Sequence, residues 1–139
     1  MIIAIRISGL VEIPRDTQES LFRVRLRRKY SAVLLKPTPE NLKILKKLRN
    51  HIAYGDIDEK TLAELIEKRG QPLEKSQKID AKKVIHGLEK KNLEELGLKP
   101  FFRLHPPRGG IEAKTHFPIR KGVLGDNKKK INDLVRRML

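Results

Sequence analysis

The sequence predicts an α+β fold built on a β-α-β-α-β core, and three observations carry that reading. Ile2–Leu10 alternates with period two: Ile3, Ile5 and Ile7 share one face, with Ile2, Ala4, Arg6 and Ser8 opposite, and its β-branched content marks a strand. Thr38-Pro39 is a helix start, a capping hydroxyl followed by proline at the first helical position, and Leu42, Ile44, Leu45 and Leu48 follow as an apolar stripe. The alternation of strand-like and helix-like segments is complete before residue 60. In so short a span both helices are expected to cover one face of a small sheet.

Taken in order, the initial strand is followed by Pro14 and Asp16, and Asp16 with Glu19 has the spacing of an N-cap and its capping partner. A helix is expected from about Thr17 to Leu26, burying Leu21 and Val24 with Phe22 as a further candidate, although Arg23–Arg27 also alternates like a strand. Ser31–Lys36 is a second strand built on Val33, Leu34 and Leu35. After the Thr38-capped helix, His51–Asp56 reads as a short third strand ended by Gly55. Asp58 caps a third helix through Arg69, with Gly70 as its stop. Ala81–Leu88 and Leu93–Leu96 are short helical pieces. Phe101–Leu104 looks like a strand, Glu112–Gly125 is expected to be irregular, and Asp126 or Asn127 caps a final helix with Ile131, Leu134, Val135 and Met138 on one stripe. The divisions expected are a core at 1–57, a helical extension at 58–100, and a basic arm with an amphipathic helix at 101–139. Because Ile2, Ala4, Val33 and Leu35 are apolar too, the second sheet face is expected to be partly covered by 101–139.

Charge narrows the function. The 139 residues carry 32 Lys+Arg against 17 Asp+Glu, net +15. By segment the balance is +5 over 1–36, +2 over 37–98 and +8 over 99–139. Such an excess on a small protein implies a polyanionic partner, nucleic acid above all. No apolar run approaches a membrane span, and Met1–Leu10 reads as a strand rather than a secretory signal. Zero cysteines exclude disulfides and thiolate metal sites. Enzyme readings fail as well. His51, His86, His105 and His116 lack metal-ligand spacing, no nucleophile motif or glycine-rich phosphate loop is present, and Glu94-Glu95 reads as a solvated helix face. No catalytic residue, metal, cofactor or small-molecule substrate is expected.

Three basic groups are the candidate RNA contacts. Arg23, Arg25, Arg27, Arg28 and Lys29 form a dense patch ending at Tyr30, which either stacks on an unpaired base or simply begins a strand. Lys43, Lys46, Lys47 and Arg49 either extend it along the second helix or form a solvated helix face. In His105-Pro-Pro-Arg108-Gly109-Gly110 the prolines stiffen the backbone and the glycines let it approach another surface, presenting Arg108. Lys114, His116, Arg120 and Lys121 continue that run. With aromatics at 4%, base stacking cannot dominate, and the RNA-recognition-motif signature is missing. Shape and phosphate recognition of folded RNA remains.

The chain also resembles a known family. Arg103–Gly110 (RLHPPRGG), Lys114–Phe117 (KTHF) and Gly125–Met138 (GDNKKKINDLVRRM), with Thr38–Leu48 and Ala53–Gly70, resemble the large-ribosomal-subunit proteins of the universal L-thirty family in their long archaeal and eukaryotic form. The resemblance implies a three-stranded antiparallel sheet with two helices, related to ferredoxin-like folds, plus an extension. It implies a structural role in the cytoplasmic ribosome, contacting large-subunit rRNA near the 5S rRNA region and neighbouring ribosomal proteins. Family contacts carry over to Arg27-Arg28-Lys29, the second helix around Lys47, and Arg108-Gly109-Gly110. A free nucleic-acid-binding regulator is the alternative, and an RNA-processing enzyme the more distant one.

Overall fold

The computed structural model describes residues 1–7, 9, 13–72, 80–88, 96, 98–108, 113–116 and 122–139, with backbone alone at 81, 113–116, 122 and 123. Strand β1 (Ile2–Arg6) lies at the heart of the sheet. It pairs antiparallel with β2 (Ser31–Leu35) from Ile2↔Leu35 to Ile5↔Ala32, and with β3 (Ile52–Asp56) from Ile2↔Asp56 to Arg6↔Ile52. This is the expected three-stranded antiparallel centre. The rest of the chain widens it. Strand β4 (Phe102–Arg103) adds to β2 through Ser31↔Arg103 and Ala32↔Phe102. On the other side β6 (Gly122–Asp126) runs parallel to β3, and β5 (Ala113–His116) parallel to β6. The strand order is β4-β2-β1-β3-β6-β5. The segment expected to be irregular therefore contains two strands. Glycines at 122 and 125 hide their pattern in the sequence, and the free edge of β3 supplies the pairing that their own propensity does not.

Helices α1 (Arg15–Arg23) and α2 (Pro39–Lys47) cover one face, and α3 (Glu59–Arg69), α4 (Ala81–Leu88) and α5 (Ile131–Met138) the other. Ile2, Ala4, Val33 and Ile52 pack with Leu21, Leu26, Leu45 and Leu48. Ile3, Ile5 and Ile7 pack with Leu62, Leu65, Ile66, Leu124, Ile131, Leu134 and Val135. Both helices of the β-α-β-α-β unit share a face, as expected. The extension, however, covers mainly the Ile3/Ile5/Ile7 face, and only Phe101 of 101–139 packs against the Ile2/Ala4 face among the described residues. Alternation identifies two faces, but when both are apolar it does not say which helices take which. Each fully buried Ile or Leu contributes about 1.5–3 kcal/mol, so the second layer is as much a core as the first.

Local signals explain the helix ends. Thr38 Oγ1 accepts from Asn41 N at 3.3 Å and Asp58 Oδ1 from Thr61 N at 2.8 Å, so both expected caps form. The expected Asp16 cap does not. Helix α1 begins two residues earlier, behind Pro14, whose carbonyl accepts from Gln18 N at 3.0 Å. Glu19 faces Arg15 at 3.5 Å across one turn. The helix also stops at Arg23, short of Leu26. The final helix is preceded by a 3-10 turn, Lys128–Lys130, that is led by Asn127, while Asp126 Oδ1 accepts from Lys128 N at 2.9 Å. Gly55 does not end β3. A Cβ there would run into the Lys128 carbonyl and the Ile131 side chain, so glycine is what lets α5 lie directly on the strand. Asn132 secures the same contact: its Oδ1 accepts from Asp58 N at 3.0 Å, and its Nδ2 donates to Asp56 O and Lys129 O at 3.2 and 2.7 Å. Leu93–Leu96 falls outside the described residues apart from Leu96.

Candidate nucleic-acid interface

The basic turn between α1 and β2 is built by a Schellman motif. Leu26 N donates to Leu21 O at 2.9 Å and Arg25 N to Phe22 O at 3.0 Å, with Leu21 and Leu26 buried together beneath. The residue in the left-handed position is Arg25, φ 68°, where glycine is usual. Tyr30, φ 65°, is left-handed as well. Two non-glycine residues in this conformation within six positions cost on the order of 1 kcal/mol or more each. The turn is held against that strain from below. Arg6, 0% exposed, sends Nη1 to Leu26 O at 2.8 Å and Nη2 to Gly9 O at 3.1 Å, and its own carbonyl accepts from Tyr30 N at 2.7 Å. Burial lowers the proton affinity of Arg6, but a guanidinium remains charged at any physiological pH. One side chain of β1 thus pins the middle of the turn while its backbone pins the end.

On this frame Arg23, Arg25, Arg27, Arg28 and Lys29 all point into solvent. Among the described residues no carboxylate pairs with Arg27, Arg28 or Lys29. Such a cluster attracts phosphates through counterion release. Tyr30 takes a different place from its neighbours. It is half-buried, packs against the Ile3/Ile5/Ile7 core, and has Lys29 Nζ 5.1 Å above its ring. Helix α2 continues the basic surface: Lys43, Lys46, Lys47 and Arg49 are exposed, and Lys47 Nζ reaches Ser20 Oγ of α1 at 3.4 Å.

The arm is joined to the terminal helix. His105 N donates to Met138 O at 2.9 Å, Arg108 N to Arg137 O at 3.0 Å, and Arg137 Nε to Arg108 O at 3.0 Å. Carbonyls at a helix C-terminus lack partners within the helix, and the arm supplies them. Pro107 is buried, whereas His105, Pro106 and Arg108 are exposed, so Pro107 seats the strap and the arginine stands off it. Lys114 and His116 fall on β5, where the backbone alone is described. Gly109, Gly110, Arg120 and Lys121 lie outside the described residues.

Three residues missed by sequence reasoning matter here. Arg6 gives no local sign, because it reads as one position of an alternating strand and the turn carbonyl it reaches, Leu26 O, lies 20 residues away. Phe101 reads as a strand residue and Arg103 as the start of the RLHPPRGG motif, with no sign of contact with the basic turn. The pairing Ser31↔Arg103 and the bond Leu104 N to Tyr30 O, 3.0 Å, set them beside the basic turn. Among the described residues no cluster of His, Asp or Glu could hold a metal ion, and no helix is long and apolar enough to cross a membrane.

No family model matches the chain. Individual proteins do, along nearly the whole length. Large ribosomal subunit protein uL30 of Aeropyrum pernix is 37% identical over 153 residues, covering 97% of this chain and 96% of that protein. The protein of the same name from Nanoarchaeum equitans is 36% identical over 152 residues, 96% of each chain. That of Archaeoglobus fulgidus is 35% identical over 155 residues, 99% of each. A match of this extent takes in the core, the extension and the terminal helix together, and it agrees with the motifs of the C-terminal third: the chain belongs to the uL30 family of large ribosomal subunit proteins.

Proposed function

We propose that this protein is a structural, non-enzymatic constituent of the large ribosomal subunit in the cytoplasm, and that it binds folded rRNA mainly through phosphates. The observation that carries this reading is the full-length likeness to proteins named for that subunit. The exposed arginines of the 23–29 turn, the lysines of α2 and Arg108 supply the chemistry, since cations on a pre-shaped surface position a protein on RNA without reading sequence. Family likeness further suggests a location near the 5S rRNA, contacts with neighbouring ribosomal proteins and a part in subunit assembly and translation. In this reading 1–57 is the anchoring unit, 58–100 a helical extension, and 101–139 an arm and helix added to it. The remaining candidate contacts, Tyr30, His105, Gly109, Gly110, Lys114, His116, Arg120 and Lys121, belong to the same interface.

Sedimentation of cell extract tests the proposal. The protein should stay with large subunits, one copy per particle, after a high-salt wash. Recovery only in the soluble fraction would overturn the ribosomal role in favour of a free RNA-binding regulator.

A further inference from the structure

Between the basic turn and the β4 edge lies a cleft of about 250 Å³, walled by Arg25, Arg27, Arg28, Ser31, Phe101 and Arg103. Among the described residues no carboxylate lines it. Its volume lies just under the lower end of small-molecule sites, roughly 300 Å³, which is of the order of one nucleotide. The cleft also has an aromatic wall. Phe101 is half-buried and packed against the Ile2/Ala4 core, and the Arg103 guanidinium carbon lies over its ring, 5.8 Å from the centroid, so the ring backs a guanidinium plane of the kind on which bases stack. Finally, Arg25 lines the cleft from a left-handed position that glycine would occupy with less strain. Strain of this kind collects at ligand clamps.

We propose that this cleft takes a single unpaired nucleotide of RNA, its phosphate held by Arg27 and Arg28 and its base laid against the Phe101–Arg103 pair. The inference rests on the RNA-binding reading and adds a base-stacking subsite to it. The aromatic that lines the cleft is Phe101, while Tyr30 packs against the Ile3/Ile5/Ile7 core.

Binding of the full chain to hexauridylate and to an abasic ribose-phosphate hexamer of equal charge tests it, with large-subunit rRNA titrated in parallel. The wild type should bind hexauridylate roughly tenfold more tightly than the abasic strand. Phe101→Leu, which keeps an apolar side chain against the core, should erase that difference and leave the salt dependence intact. Equal binding of the two strands by the wild type overturns the proposal without reliance on any variant. A difference that survives Phe101→Leu overturns it as well. In either case, salt-sensitive rRNA binding leaves the RNA-binding reading standing. Failure to bind rRNA and both hexamers overturns that reading together with the cleft.

Discussion

The 24–30 turn and the 105–108 strap both hold arginines in solvent, but they are fixed by opposite means. The turn is strained, left-handed at Arg25 and Tyr30, and is latched by the buried Arg6 side chain. The strap is relaxed, stiffened by Pro106 and Pro107, and stitched by backbone hydrogen bonds to the end of α5. A cation can therefore be pre-organised by a side chain reaching out of the core or by backbone completing a helix terminus. The first device is sensitive to one residue. The second is spread over several bonds and tolerates side-chain change.

The largest expected effect comes from removing the latch. Arg6→Met leaves Leu26 O and Gly9 O without their charged donor and should lower stability by about 2–3 kcal/mol, read by denaturant unfolding. A loss below 0.5 kcal/mol would show that the turn holds itself. Next comes the binding surface. Arg27, Arg28 and Lys29 changed together to Ala should reduce the slope of log affinity against log salt by about 2–3, whereas Arg108→Ala should reduce it by about 1. Folding stability should move little in either case. An unchanged slope in the triple variant would move the main phosphate contact elsewhere. Arg25→Gly relieves the left-handed strain and should raise stability by about 1 kcal/mol while weakening RNA binding. A stability loss would mean that the arginine's contacts outweigh its backbone strain.

The smallest effect involves His51, whose backbone accepts from Ile7 N at 3.0 Å. Burial, and secondarily the Arg6 charge, lowers its proton affinity in the folded protein. The unfolded chain therefore takes up a proton first, near the ordinary pH of about 6.5. Stability contributed by neutral His51 is present above that value and declines as pH falls towards the lowered folded value. His51→Gln should flatten that part of the stability–pH curve. An identical curve would assign the dependence to another group.

Legibility followed range. The Thr38 and Asp58 caps were readable because donor and acceptor lie three residues apart. The same logic failed at Asp16 because Pro14 starts the helix earlier and Glu19 faces Arg15 instead. Arg108 was visible as an exposed arginine, but its tie to the terminal helix spans 29 residues and leaves no local pattern. The Phe101–Arg103 wall was hidden for the same reason.

By itself the sequence determined the α+β class, the antiparallel centre, most helix positions and the basic charge behind the proposed polyanionic partner, since periodicity, caps and net charge are properties of neighbouring residues. Only the tertiary structure decided which helices cover which face, how Arg6 holds the basic turn, and that Phe101 and Arg103 close a cleft with it. Those outcomes depend on strand pairing and side-chain reach between residues far apart in the chain. Two apolar faces or a lone buried arginine leave such choices open until the whole sheet is assembled.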